Sequence, residues 1–110
     1  MTPEQRLETF RRIVTERPDE PFARYSLAMA LRAAGREAEA AREFQELARR
    51  SPGYVPTYLM YGQVLEVLGR RAEAARAYED GVAAARSAGN EHARSELAQA
   101  LEVLRARGEE

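Results

Sequence analysis

Few side chains in this 110-residue chain could do chemistry, and their spacing argues against catalysis. There is one histidine, His92, and no cysteine. His92 falls beside Glu91 in the first turn of a helical segment, where an exposed surface histidine is expected. Proton transfer needs titratable groups that converge in a pocket. The carboxylate pairs Glu4/Glu8 and Glu39/Glu43 have helical spacing, but Arg residues follow three or four positions on (Glu8/Arg12, Glu39/Arg42). That pattern predicts solvated ion-pair faces. A lone His with scattered Glu does not supply a metal's ligand set. Gly35 and Gly69 close helical segments, whereas a phosphate-cradling loop must open one. There is no serine-elbow motif. The Arg doublets Arg11-Arg12, Arg49-Arg50 and Arg70-Arg71 have acidic residues close by. A solvated surface is expected there, with contact to an acidic partner as the alternative. No catalytic residue, cofactor or metal is expected.

The remaining residues must therefore position something other than a reaction centre. Hydrophobic residues make up 45 % of the chain and charged residues 32 %, with Ala, Arg, Glu and Leu dominant. That is enough apolar surface for a core, and the mix favours helices. The formal net charge is -1, so the basic excess of a general nucleic-acid binder is absent. All basic residues are Arg, which fits a GC-rich genome or a hot habitat. No apolar run approaches the ~18 residues of a membrane span. Met1-Thr2-Pro3-Glu4-Gln5-Arg6 lacks the apolar stretch of a signal peptide. A cytoplasmic, bacterial protein is the expectation.

Start and stop signals predict six helices. Thr2-Pro3-Glu4-Gln5 reads as a capping box with Pro at the first helical position. Leu7, Phe10 and Val14 then share one face, and the helix stops before Pro18. Asp19 is positioned to cap a second helix carrying Phe22, Tyr25, Leu27, Ala28 and Leu31, which ends at Gly35 in the left-handed conformation. A third helix runs from about Glu37 to Arg50 and a fourth from near Pro56 to Gly69. A fifth spans about Arg71 to Ser87. Asn90 caps a sixth, with Ala93, Leu97, Leu101 and Leu104 on one face. Loops of two to five residues make neighbouring helices antiparallel.

An internal repeat organises these helices. Gly35-Arg36-Glu37-Ala38-Glu39-Ala40-Ala41-Arg42 recurs as Gly69-Arg70-Arg71-Ala72-Glu73-Ala74-Ala75-Arg76, identical at seven of eight positions with an offset of 34. The same offset joins Leu31 to Leu65 and builds an aromatic ladder of Phe10, Phe44 and Tyr78. At Leu27, Ala28, Leu31, Ala40, Phe44 and Pro52, and again at Tyr58, Gly62, Leu65, Ala74 and Tyr78, the chain resembles the tetratricopeptide repeat family. The resemblance covers residues 18–86 well. It implies an all-α solenoid of antiparallel helix-turn-helix repeats, of about six helices, with terminal capping helices. The expected organisation is a single domain over 1–110: a half-repeat helix at 3–17, full repeats at 21–54 and 55–88, and a capping helix at 90–107. Three positions depart from the family pattern. Arg24 stands where a large aromatic is preferred, Gly81 replaces Ala and Arg86 replaces the closing Pro. A longer, looser fifth helix is expected as a result. The polar outer faces of the first and last helices suggest a finished array.

The resemblance also implies a binding face, because the first helix of each repeat lines the concave side. It places Phe22, Tyr25, Met29 and Arg32 there from one repeat, and Leu59, Met60, Gln63 and Glu66 from the next. Arg94 and Leu97 come from the last helix. Val67 belongs to the same set. Aromatic, Met and Leu residues dominate where a merely solvated groove would be polar. Relatives that grip acidic chaperone tails use Lys, Asn and Arg at positions held here by Tyr25, Met29 and Leu59. An apolar helix or extended segment of another protein is therefore the expected partner, with no nucleic acid, membrane or small-molecule substrate. Two alternatives stay open. The same face could close a homodimer, or Tyr25, Leu59 and Leu97 could be covered by the curl of a short array.

Overall fold

A computed structural model describes residues 1–108. They form α1 (Pro3–Glu16), α2 (Pro21–Ala33), α3 (Glu37–Arg50), α4 (Pro56–Val67), α5 (Arg71–Ser87) and α6 (Glu91–Gly108), with no strand among the described residues. Each helix packs on the next in sequence, and α4 also meets α6.

Local chemistry sets the boundaries. Thr2 and Gln5 close the capping box: the Gln5 N–H donates to Thr2 Oγ1 at 3.2 Å, and the Thr2 N–H donates to Gln5 Oε1 at 2.8 Å. Three turns use a glycine at positive φ, namely Gly35 (76°), Gly69 (73°) and Gly89 (68°). In each, the residue after the glycine donates its N–H back to a carbonyl of the last helical turn: Arg36 to Leu31, Arg70 to Leu65 and Asn90 to Ala85. This is the six-to-one closure that a left-handed residue permits. Asn90 then caps α6, its Oδ1 accepting from the Ala93 N–H at 3.0 Å. Asp19 does not cap α2. Glu20 occupies that place without a side-chain hydrogen bond, and the Asp19 carboxylate instead accepts from Arg50 at 2.9 Å.

The core follows the 34-residue ladder. Phe44 and Tyr78 are fully buried, as are Ala28, Ala40 and Ala74 where the helices of a repeat face each other. Burying a ring of this size is worth roughly 1.5–3 kcal/mol. Small residues opposite it decide how closely the helices approach. Helix α5 is three residues longer than α3 (17 against 14), as expected, but it is not loose. A Cβ on Gly81 would lie 2.5 Å from Tyr58 Cβ and 2.8 Å from Leu97 Cδ2, so the missing side chain seats α5 tightly between α4 and α6. Arg24 replaces an aromatic and is buried. Its Nη1 donates to Glu43 Oε1 at 2.8 Å.

Candidate binding face

Many of the surface charges are joined in Arg–carboxylate hydrogen bonds. Glu39 accepts from Arg36 (2.8 Å) and Arg11 (3.1 Å), and not from Arg42 as its helical spacing suggested. The Arg11 and Arg36 hydrogen bonds hold its carboxyl below the usual range. Glu46 accepts from Arg49 and Arg50, which lower it to about 2. Arg70 pairs with Glu73, and Arg71 donates to the Leu104 carbonyl near the end of α6. No group of three or more His, Cys, Asp or Glu among the described residues is placed to hold a metal ion. No helix among them is long and apolar enough to cross a membrane.

Helix α2 has no acidic residue and presents a row of apolar side chains. Phe22 is 64 % exposed. Tyr25 is half-buried, its ring edge-on to Phe44 (centroids 6.2 Å) and to Tyr54 (5.9 Å). Together with Ser26, Met29, Ala30 and Ala33 of α2 and with Arg6 and Phe10 of α1, these residues line an open hollow of about 470 Å³. Between α2 and α4 the link is Arg32, whose Nη1 donates to Met60 Sδ at 3.4 Å. Leu59, Met60 and Gln63 are half-buried on α4, and Val67 is 67 % exposed.

The C-terminal part of the predicted set behaves differently. Glu66 is engaged from inside the molecule: it accepts from the Tyr78 hydroxyl at 2.5 Å and from Arg107. Burial, followed by this bond to a carboxylate, raises the Tyr78 pKa well above its ordinary value. Arg94 is paired with Glu91 at 2.5 Å. It borders a separate hollow of about 610 Å³ between α5 and α6, with Val82, Arg86 and Leu101. Leu97 is only 2 % exposed and packs against the Gly81 backbone, so it serves the core and not a groove. The structure thus gathers Phe22, Tyr25 and Met29 into one hollow, while Arg32 reaches from α2 to Met60 of α4 and Leu59 lies half-buried on α4. Arg94 and Leu97 fall outside it. Arg6 and Phe10 were absent from the predicted face. The signal for Phe10 lay in the aromatic ladder: it repeats Phe44 at the 34-residue offset, yet it is only half-buried where Phe44 is fully covered.

These features define an all-α helical-repeat protein that carries an open, apolar face on the first helices of its repeats. No family model matches the chain, and neither does any curated protein. Among solved structures it is similar to a tetratricopeptide repeat domain protein from Salinibacter ruber, at 33 % identity over 79 % of this chain and 97 % of that one, with a TM-score of 0.75. The chain belongs to the tetratricopeptide repeat family. Its fold is also that of PcrH in complex with the chaperone-binding region of PopD (14 % identity, 96 % and 80 % coverage, TM-score 0.88). It is shared too by the Yersinia enterocolitica type III secretion translocator chaperone SycD (14 % identity, 98 % and 75 % coverage, TM-score 0.87).

Proposed function

We propose that the protein is a non-catalytic interaction module that takes an apolar segment of another protein on the face formed by α2 and α4. The observation that carries this reading is the exposed apolar row itself. Phe22 and Val67 are two-thirds exposed, and Tyr25, Met29, Leu59 and Met60 of the same two helices are half-covered. Contiguous apolar surface of this kind marks an interaction site, and methionines adapt to varied partner shapes. The likeness to PcrH, solved with a region of PopD, supports a peptide-sized ligand. The working unit is the whole array, with the half-repeat at 3–17, repeats at 21–54 and 55–88, and the capping helix at 90–107.

The test is affinity capture from the source cell's lysate, read by mass spectrometry. Wild type is compared with Met29→Glu/Leu59→Glu and with Phe22→Glu/Val67→Glu, whose target side chains are exposed enough to spare the fold. Circular dichroism reports helicity for each. A protein retained by wild type and lost by both folded variants supports the face. Equal retention by all three sinks it. Recovery of the chain alone, with a mass that grows with concentration, favours the homodimer reading instead.

A further inference from the structure

We infer that the hollow between α1 and α2 seats an amphipathic α-helix of a partner protein, and that this helix carries a carboxylate opposite Arg6. The inference rests on the proposed binding face, extends it past α2 onto α1, and adds the form and charge of the ligand segment seated at that edge.

The molecule's own repeats supply the template. One repeat further along, α2 covers the aromatic that Phe10 repeats: Tyr25 stands edge-on over Phe44 at 6.2 Å, and Phe44 is completely buried. Phe10 is only half-buried, and no described residue plays over it the part that Tyr25 plays over Phe44. The flank of α2 agrees. Met60 of α4 receives Arg32 from the preceding first-type helix, α2. Ser26, 34 residues before Met60, lines the hollow beside Phe22 and Met29. The hollow therefore has the floor and side wall that a first-type helix occupies elsewhere in this chain. Its apolar lining would receive large side chains at three- and four-residue spacing.

Arg6 sets the charge. It repeats the positions of Ala40 and Ala74, both fully buried where the two helices of a repeat meet. An arginine there keeps a seated helix from packing flush and leaves a cation at its edge. Among the described residues, the Arg6 side chain has no hydrogen-bonded or ion-paired partner; most of the other surface arginines do. A carboxylate on the seated helix would complete it. A second copy offers a poorer occupant. The side of α6 corresponding to the faces that α2 and α4 turn to their repeat partners carries His92, Glu96 and Gln99, all exposed and none able to cover Phe10.

The test is selection of binders from a display library of random 16-residue peptides on the intact protein. The control is Phe22→Glu/Val67→Glu, and the charge probe is Arg6→Glu, an exposed site. The expected winners carry apolar residues at helical spacing with an acidic residue at a fixed offset. A synthetic winner should gain helicity on binding, measured by circular dichroism. It should lose about two- to fivefold in affinity on Arg6→Glu, the scale of a partly exposed charge pair, and regain it when its acid is exchanged for Lys. Winners that bind without gaining helix, or with no response to Arg6→Glu, overturn this inference while leaving the face itself standing. Equal enrichment on Phe22→Glu/Val67→Glu overturns the face as well. Concentration-dependent self-association, abolished by Arg6→Glu, would assign the seat to a second copy and overturn it too.

Discussion

Gly62 and Tyr78 share space that admits only one of two side chains. A Cβ built on Gly62 would lie 2.5 Å from Tyr78 Cζ, and the Tyr78 hydroxyl is tied to Glu66 at 2.5 Å. One repeat earlier the same two positions hold Ala28 and Phe44. The chain thus solves one packing problem twice, with Gly against Tyr and with Ala against Phe.

The exchange between those solutions is testable. Gly62→Ala gains about 1 kcal/mol in helix propensity and loses roughly 1–3 kcal/mol to overpacking, so a net loss is expected in urea denaturation. Tyr78→Phe alone should cost about 1 kcal/mol for the hydrogen bond. The double variant Gly62→Ala/Tyr78→Phe recreates the Ala28/Phe44 pair. It should be more stable than the sum of the single changes by roughly 0.5 kcal/mol or more. Strict additivity would show that the two residues do not compete for space.

Gly81 is a parallel case across three helices. Gly81→Ala should push α5 off Tyr58 and Leu97 and lower stability by roughly 1–3 kcal/mol despite better helix propensity. A stabilised variant, measured by thermal denaturation, would mean that the junction has slack.

Thr57 is completely buried, and its Oγ1 has no hydrogen-bond partner. Thr57→Val keeps the shape and removes the unpaired hydroxyl. It should be neutral or stabilising by up to about 1 kcal/mol. A clear loss in chemical denaturation would reveal a partner for that hydroxyl, such as a bound water.

Alkaline pH tests the buried rings. Burial raises the pKa of Tyr54, Tyr58, Tyr61 and Tyr78 above the ordinary value near 10. Each folded-state pKa exceeds its unfolded one. Their contribution to stability is therefore full below about pH 10 and is lost as pH rises toward the raised values. Tyrosinate absorbance should lag well behind that of free tyrosine while circular dichroism stays helical, and then rise together with unfolding. Ionisation of all tyrosines near pH 10 in the folded protein would contradict the packing.

Much of the architecture was legible in the residues because helix punctuation is local. The capping box at Thr2, the three left-handed glycines, and Pro18 and Pro52 just past the ends of α1 and α3 act within a few residues, and each helix lies within two residues of its expected bounds. The ladder of Phe10, Phe44 and Tyr78 was legible because packing between repeats recurs at one fixed offset. Longer-range pairings were not legible. Arg24 meets Glu43 across 19 residues, Arg11 meets Glu39 across 28 and Arg107 meets Glu66 across 41. Spacing within one helix cannot reveal such partners: it points Glu39 to Arg42, whereas Glu39 accepts from Arg11 and Arg36. The repeat position of Leu97 alone predicts a place on the binding face. The Gly81 backbone beneath it draws it into the core instead.

The central claim is that a partner protein lies along α2 and α4. The most direct measurement places a photo-crosslinking amino acid at Phe22, on the proposed face, and separately at Glu102, an exposed residue of α6. Each protein is then irradiated inside the source cell. We predict a discrete crosslinked species with another protein from position 22 and none from position 102. A crosslink only from position 102, or the same adducts from both, would contradict the account.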